Sequence, residues 1–279
     1  LLLGGHTTKL CSGRFVTGFF TAFGFMPALF RAFLILLLPL LASCSSLYFP
    51  PPPQVPLLTQ KGEWSAGLHT NFSQNTAVQG AYAVTDHLGV MASASFLHAD
   101  KKQSFFGSKN NRQTEDHDFL EGGLGYFTRL GQDRRVLEIY GGVGIGATKY
   151  TEYSRETNLP TEVREGTLHK YFLQANYTSK EKKTFRALGR DWPFNYGTAM
   201  RASYVQITDF RLNGVARAPE YNIFFEPITY TRIEVLGPLQ LQLISGSNFG
   251  LIPRKYVKAA NSVFQLGIVV NVGGQSGGK

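Results

Sequence analysis

From Gly62 to Val272 the chain alternates apolar and polar residues with a period of two, the spacing that puts successive side chains on opposite faces of a strand. In the last such run Phe264, Leu266, Ile268, Val270 and Val272 share one face, with Gln265, Gly267 and Asn271 on the other. Around 136–149, Leu137, Ile139, Val143 and Ile145 alternate with Glu138, Tyr140, Gly142, Gly144 and Gly146; Leu239, Leu241 and Leu243 are separated by Gln240 and Gln242. No amphipathic helical stretch interrupts the pattern. It predicts about ten strands, near 62–72, 75–85, 87–98, 116–130, 135–150, 167–178, 197–210, 220–236, 239–250 and 260–272. A slip in the alternation predicts a bulge near Gln206, and Pro227, which lacks an N–H, predicts a local break.

Several runs are long enough to cross a bilayer as tilted strands, which takes about 9–11 residues. Short connections follow the second, fourth and eighth strands (85–87, 131–134 and 237–238). Longer ones follow the third, fifth, seventh and ninth (99–115, 151–166, 211–219 and 251–259). Short turns alternating with long loops are the habit of outer-membrane barrels. The short first hairpin and the long stretch 179–196 depart from it. The fold expected is all-β: a single antiparallel up-and-down transmembrane β-barrel of about ten strands over 62–272, with a flexible tail at 273–279. An even count brings both barrel ends to one side, expected to be the periplasm, with long loops 99–115 and 151–166 presented for a surface ligand.

Hydrocarbon cannot satisfy polar groups, so the apolar faces should look outward, with Leu137, Ile139, Leu266 and Ile268 toward lipid. The opposite face carries Glu121, Glu138, Arg201, Glu226, Arg232 and Glu234, expected to pair in the lumen, since small barrels are filled by side chains. An ion path or binding site is the less favoured use of these groups. Tyr126, Phe127, Tyr150, Tyr171, Tyr177 and Phe249 fall near strand ends, where interfacial girdles form.

The N-terminus has a different grammar. From Met26, Arg31 precedes an apolar stretch of about ten residues and then small residues before Cys44, the layout of a signal peptide over 26–43. Leu41-Ala42-Ser43-Cys44 resembles the lipobox of bacterial lipoproteins, which implies cleavage before Cys44 and a diacylglyceryl, palmitate-bearing anchor on its thiol. Residues 1–25 read as an upstream extension. The run Pro50–Pro53 within 44–61 favours a stiff polyproline segment and reads as a tether between lipid and barrel, with Cys44 on the periplasmic side beside the barrel ends.

The stretch Pro50-Pro51-Pro52-Pro53-Gln54-Val55-Pro56-Leu57-Leu58 followed by Lys61-Gly62-Glu63 resembles the mature start of bacteroidete-type outer-membrane β-barrel lipoproteins. So does the strand–turn–strand Ala81-Tyr82-Ala83-Val84-Thr85-Asp86-His87-Leu88-Gly89-Val90. The resemblance implies a place and a fold, without a reaction.

Composition narrows the function. Glycine (30 residues) and aromatics (13%) are abundant, as packed strands require. The formal charge of +9 falls to about +6 when Lys9, Arg14 and Arg31 leave with the leader, and no basic run has the pattern of a nucleic-acid groove. Cys11 and Cys44 are far apart, and the histidines show no zinc-type spacing, so no cofactor or metal is expected. The glycines of 141–146 alternate within a strand, with no following helix to make a phosphate loop. Asp116-His117-Asp118, at a rim, invites comparison with the omptin proteases. His117 should point away from its two neighbours, and Asp209 and His169 offer no matching pair, so no catalytic residue is assigned. A non-enzymatic structural or surface-binding role is expected, with outer-membrane lipid as partner. The alternatives are a barrel hydrolase acting on lipid or peptide and a soluble, lipid-tethered periplasmic β-domain.

Overall fold

The computed structural model describes residues 47–71, 75–101, 112–154, 156–187, 189–258 and 262–273. The signal-peptide, Cys44 and 273–279 tail expectations fall wholly or mostly outside that set. The described residues contain no helix, only strands: β1 (Trp64–Thr70), β2 (Asn75–Ala83), β3 (Leu88–Lys101), β4 (Gln113–Leu130), β5 (Arg135–Tyr153) and β6 (Pro160–Ala187). Then come β7 (Arg190–Leu212), β8 (Val215–Ala216), β9 (Glu220–Leu236), β10 (Leu239–Ser247), β11 (Phe249–Gly250) and β12 (Ser262–Val272). Strands β1 to β7 pair in chain order, β7 pairs with β9, β9 with β10, and β10 with β12. Pairing of β12 with β1, Trp64 opposite Val272, closes the ring. Ten long antiparallel strands form a closed barrel, each with a paired neighbour on both sides of the ring.

Each departure from regular alternation has a local cause. The 179–196 stretch is no loop: β6 and β7 continue as a ribbon, Lys183 opposite Phe194 and Arg186 opposite Asp191, to a tight turn at Gly189. The bulge falls three residues past Gln206, which pairs regularly with His169. Between Thr208 and Arg211 β7 holds one residue more than β6, and Asp209 adopts a left-handed φ of 49° there. Pro227 leaves the β7–β9 ladder unbroken. Its missing N–H falls where pairing with β10 has ended at Ile228 and pairing with β11 has yet to begin at Phe225. Loops 99–115 and 151–166 are shorter than expected, because β3 and β4 reach Lys101 and Gln113, and β5 and β6 reach Tyr153 and Pro160.

The predicted faces hold. Ile139, Leu266 and Ile268 are exposed on the outer wall at 44%, 46% and 51%, and Leu137 is half-buried on the same side. On β5 the outward row runs Arg135, Leu137, Ile139, Gly141, Val143, Ile145, Ala147, Lys149: charged at both ends and uncharged between. Lys149 belongs to a cross-strand register of outward polar and charged side chains spanning five strands, His98–Asp116–Lys149–Glu165–Arg211. Tyr126, Tyr171, Tyr177 and Phe249 are outward and exposed. Phe127 and Tyr150 are not girdle residues: their strand parity turns them into the core, where both are buried.

The largest correction concerns 44–61, whose described part, from Leu47 onward, is no solvated tether. Residues 47–60 run through the lumen from one mouth to the other. At the loop mouth the Tyr48 N–H donates to the Lys258 carbonyl (3.2 Å). At the turn mouth Gln60 Nε2 donates to the Gly273 carbonyl (2.7 Å), and the Lys61 N–H to Asp86 (2.9 Å) in the β2–β3 turn. Pro50 to Pro53 are buried. Three clusters of buried apolar side chains fill the lumen, and each is completed by this segment. Leu47 and Tyr48 join Phe119, Leu168, Val205 and Phe224. Leu58 joins Met91, Phe127, Tyr140 and Phe172, and Val55 joins Ala199, Ile228, Tyr230 and Ile244. Proline suits the position because it brings no N–H that the lumen would have to satisfy, and the extended polyproline form makes no internal hydrogen bonds.

Candidate functional site

Six charged side chains of the lumen sort into three sets, each from inward positions of regularly alternating strands. In the central set Glu121 (β4), Lys170 (β6), Arg201 (β7) and Glu226 (β9) are all buried. Lys170 Nζ lies 3.1 Å from Glu121 and 3.8 Å from Glu226; Arg201 Nη1 lies 2.9 Å from Glu121 and 3.9 Å from Glu226. Ser93 Oγ donates to Glu121 (3.2 Å), and Arg201 Nε donates to Gln174 Oε1 (2.7 Å). Two acids and two bases balance, which is what makes their burial tolerable. Aromatic rings shield the cations: Phe172 lies 4.6 Å from the Arg201 guanidinium and 5.5 Å from Lys170 Nζ. The threaded segment joins the set directly, since the Tyr48 hydroxyl donates to Glu226 (3.1 Å).

The second set is Glu138, which receives the threaded backbone. The N–H groups of Leu57 (3.3 Å) and Leu58 (3.1 Å) donate to its two oxygens, with Asn176 Nδ2 (3.2 Å) and the Tyr140 hydroxyl (3.2 Å) alongside. Leu57 adopts a left-handed φ of 63°, which turns two successive N–H groups toward one carboxylate as an anion-binding concavity. In the third set Arg232 donates to the Val55 carbonyl and, from Nε, to Gln242 (3.0 Å). Gln79 and Gln174 donate to the Pro52 and Gln54 carbonyls, so two further carbonyls of the segment are matched by amides of the wall.

Five of the six expected lumen residues therefore lie inside the barrel, in three separate sets. Glu234 does not join them. It has the inward parity, but β9 has by then left the lumen at the turn mouth, and Glu234 pairs with Lys182 (3.0 Å) on the projecting β6–β7 ribbon. Sequence reasoning missed Lys170, whose alternation with Leu168, Phe172, Gln174 and Asn176 gives it the same inward parity. It also missed every group on 47–60.

The rim cluster divides as strand geometry dictates. Asp116 and Asp118 point outward, flanking His98 at 3.6 and 3.8 Å. His117 points inward, is buried, and stacks on Phe119 with ring centroids 5.7 Å apart. Among the described residues no group of three or more His, Cys, Asp or Glu side chains is arranged to hold a metal ion.

Inward glycines make room for the large side chains. A Cβ on Gly142 would meet the Phe172 ring at 2.4 Å, and one on Gly267 would meet His69 at 2.1 Å; each glycine stands directly across the ladder from that residue.

No family model matches the sequence, and no curated protein matches it. A solved structure to which the chain is similar is CdiB from Acinetobacter baumannii, at 7% identity and a TM-score of 0.22, with 76% of this chain aligned. The chain spans 60% of the length of that structure.

Proposed function

We propose that the protein is a lipid-anchored barrel of the bacterial outer membrane with a structural or surface-binding role, its lumen closed by its own N-terminal segment. The observation that carries this is the outer wall. On the outward row of β5, uncharged residues run from Leu137 to Ala147 between Arg135 and Lys149. Ten strand steps at a tilt near 40° cover about 25 Å, the height of the apolar band of outer-membrane barrels. The same wall in water would expose Leu120, Leu124, Val143, Ile145, Tyr171 and Leu173, an apolar surface that a monomeric soluble domain seldom carries. This weighs against a soluble, tethered β-domain. The row from His98 to Arg211 then marks the water boundary at the loop mouth, taken as the cell surface, with the barrel ends in the periplasm.

A role without catalysis is supported by how six charged groups of the lumen are used: the central four face each other, and Glu138 and Arg232 hold the threaded backbone. Lipidation at Cys44 rests on the signal-peptide and lipobox pattern.

The test is twofold. A closed barrel with every strand paired should migrate anomalously on a denaturing gel until heated. A Cys44→Ala chain should lose fatty-acid labelling and still resist extraction from membranes by carbonate. Carbonate release of that variant would favour the soluble domain instead.

A further inference from the structure

The threading has a consequence for the lipid. We infer that the acylated end of the chain emerges at the loop mouth, so that the anchor on Cys44 and the ends of the barrel itself, Trp64 and Val272, lie at opposite faces of the membrane. The inference rests on the lipoprotein reading of Cys44 and reverses the side expected from strand count alone.

The segment is fixed at both ends. At the loop mouth Tyr48 holds the Lys258 carbonyl through its N–H and Glu226 through its hydroxyl, and its ring packs on Phe224 with centroids 4.8 Å apart. The Phe49 N–H faces His117 Nε2 at 3.5 Å. At the turn mouth Thr59 closes onto Glu63 through its N–H (2.6 Å) and hydroxyl (2.5 Å), turning the chain into β1. The 14 residues from Leu47 to Gln60, at polyproline rise, cover about 40 Å. Cys44 lies outside the described residues, but it stands only three positions before Leu47, and three chain steps reach at most about 11 Å. Whatever path those residues take, Cys44 cannot return to the turn mouth. Nor does the lumen offer a way back, because the three apolar clusters and the ionic set fill it. A diacylglyceryl group is too bulky to be drawn through that packing, so the strands must close around a segment already in place.

The experiment places three short epitopes in separate full-length chains: between Ser45 and Ser46, in the Gly131–Arg134 turn, and at Glu156-Thr157 in the β5–β6 loop. Antibody binding is compared on intact and permeabilised cells, and the gel shift on heating confirms that each chain folds. The epitope at 45/46 should behave as the one at 156/157 does, giving full signal on intact cells, with the 131–134 epitope at background until permeabilisation. An epitope at 45/46 that follows the 131–134 turn overturns the inference. Should the 131–134 epitope be the one exposed on intact cells, the orientation proposed above fails, and the inference still stands or falls by which partner the 45/46 epitope follows. Fatty-acid labelling of wild type against Cys44→Ser separately tests the lipid: equal labelling removes the anchor from the inference.

Discussion

Glu121, Glu226, Lys170 and Arg201 share the middle of the lumen, and removing any one leaves a charge buried without its counterpart. Lys170→Met keeps the length of the side chain and deletes its charge, so two carboxylates then face a single guanidinium. Breaking a buried pair from one side costs about 3–5 kcal/mol. The variant should therefore unfold at clearly lower urea concentration in detergent, with the gel shift lost at lower temperature. Lys182→Met, which removes the half-exposed partner of Glu234, should change stability by no more than about 1 kcal/mol. Equal effects of the two substitutions would mean that the central set does not hold the lumen together. The glycines opposite Phe172 and His69 act at the same scale. Gly267→Ala brings a Cβ against buried His69 and should destabilise, whereas His69→Ala in the same chain should recover much of the loss.

At the scale of strands, the outer wall of β5 gives a depth gauge. Val143→Arg puts a charge near the midplane of the apolar band and should cost about 2–4 kcal/mol. Arginine in place of Thr167, one register row below the charged row, should cost about 0–1 kcal/mol, read by the same unfolding curves. Similar costs at both depths would argue that no bilayer surrounds the wall. This wall was the part of the fold most legible from sequence, because the side-chain period of a strand is two without drift. Outward apolar faces therefore print themselves as unbroken apolar alternation, as in Phe264 to Val272. Parity identifies faces but not where a strand leaves the lumen, which is why the alternation alone groups Glu234 with Glu226 and Arg232. It also fails for residues 47–60, where an extended proline-rich chain has no face to alternate. The signal that distinguishes a lumen segment from a tether lies elsewhere: Leu47 to Gln60 contains no charged residue and carries Leu47, Tyr48, Val55, Leu57 and Leu58 among five prolines. A segment bathed in water has no need of that composition, whereas the inside of a barrel does.

For the whole molecule, the ring of strands and the strand-like filler are one unit. The three apolar clusters are each incomplete without Leu47 and Tyr48, Val55, or Leu58, and Glu138 and Arg232 have their backbone partners on the same segment. The barrel is thus expected to be closed to ions in its native state, and to fold poorly when the segment is missing. The most direct measurement is the reactivity of single cysteines along the segment, in the refolded barrel carrying Cys44→Ala. Gln54→Cys lies deep in the lumen, where Gln174 and Asn176 hold the Gln54 carbonyl, and Lys61→Cys lies in the exposed turn just outside. A water-soluble maleimide, followed by mass spectrometry, should label Lys61→Cys within minutes and Gln54→Cys only after heat opens the barrel. Labelling of Gln54→Cys at the rate of Lys61→Cys in the unheated protein would contradict a lumen filled by its own N-terminal segment.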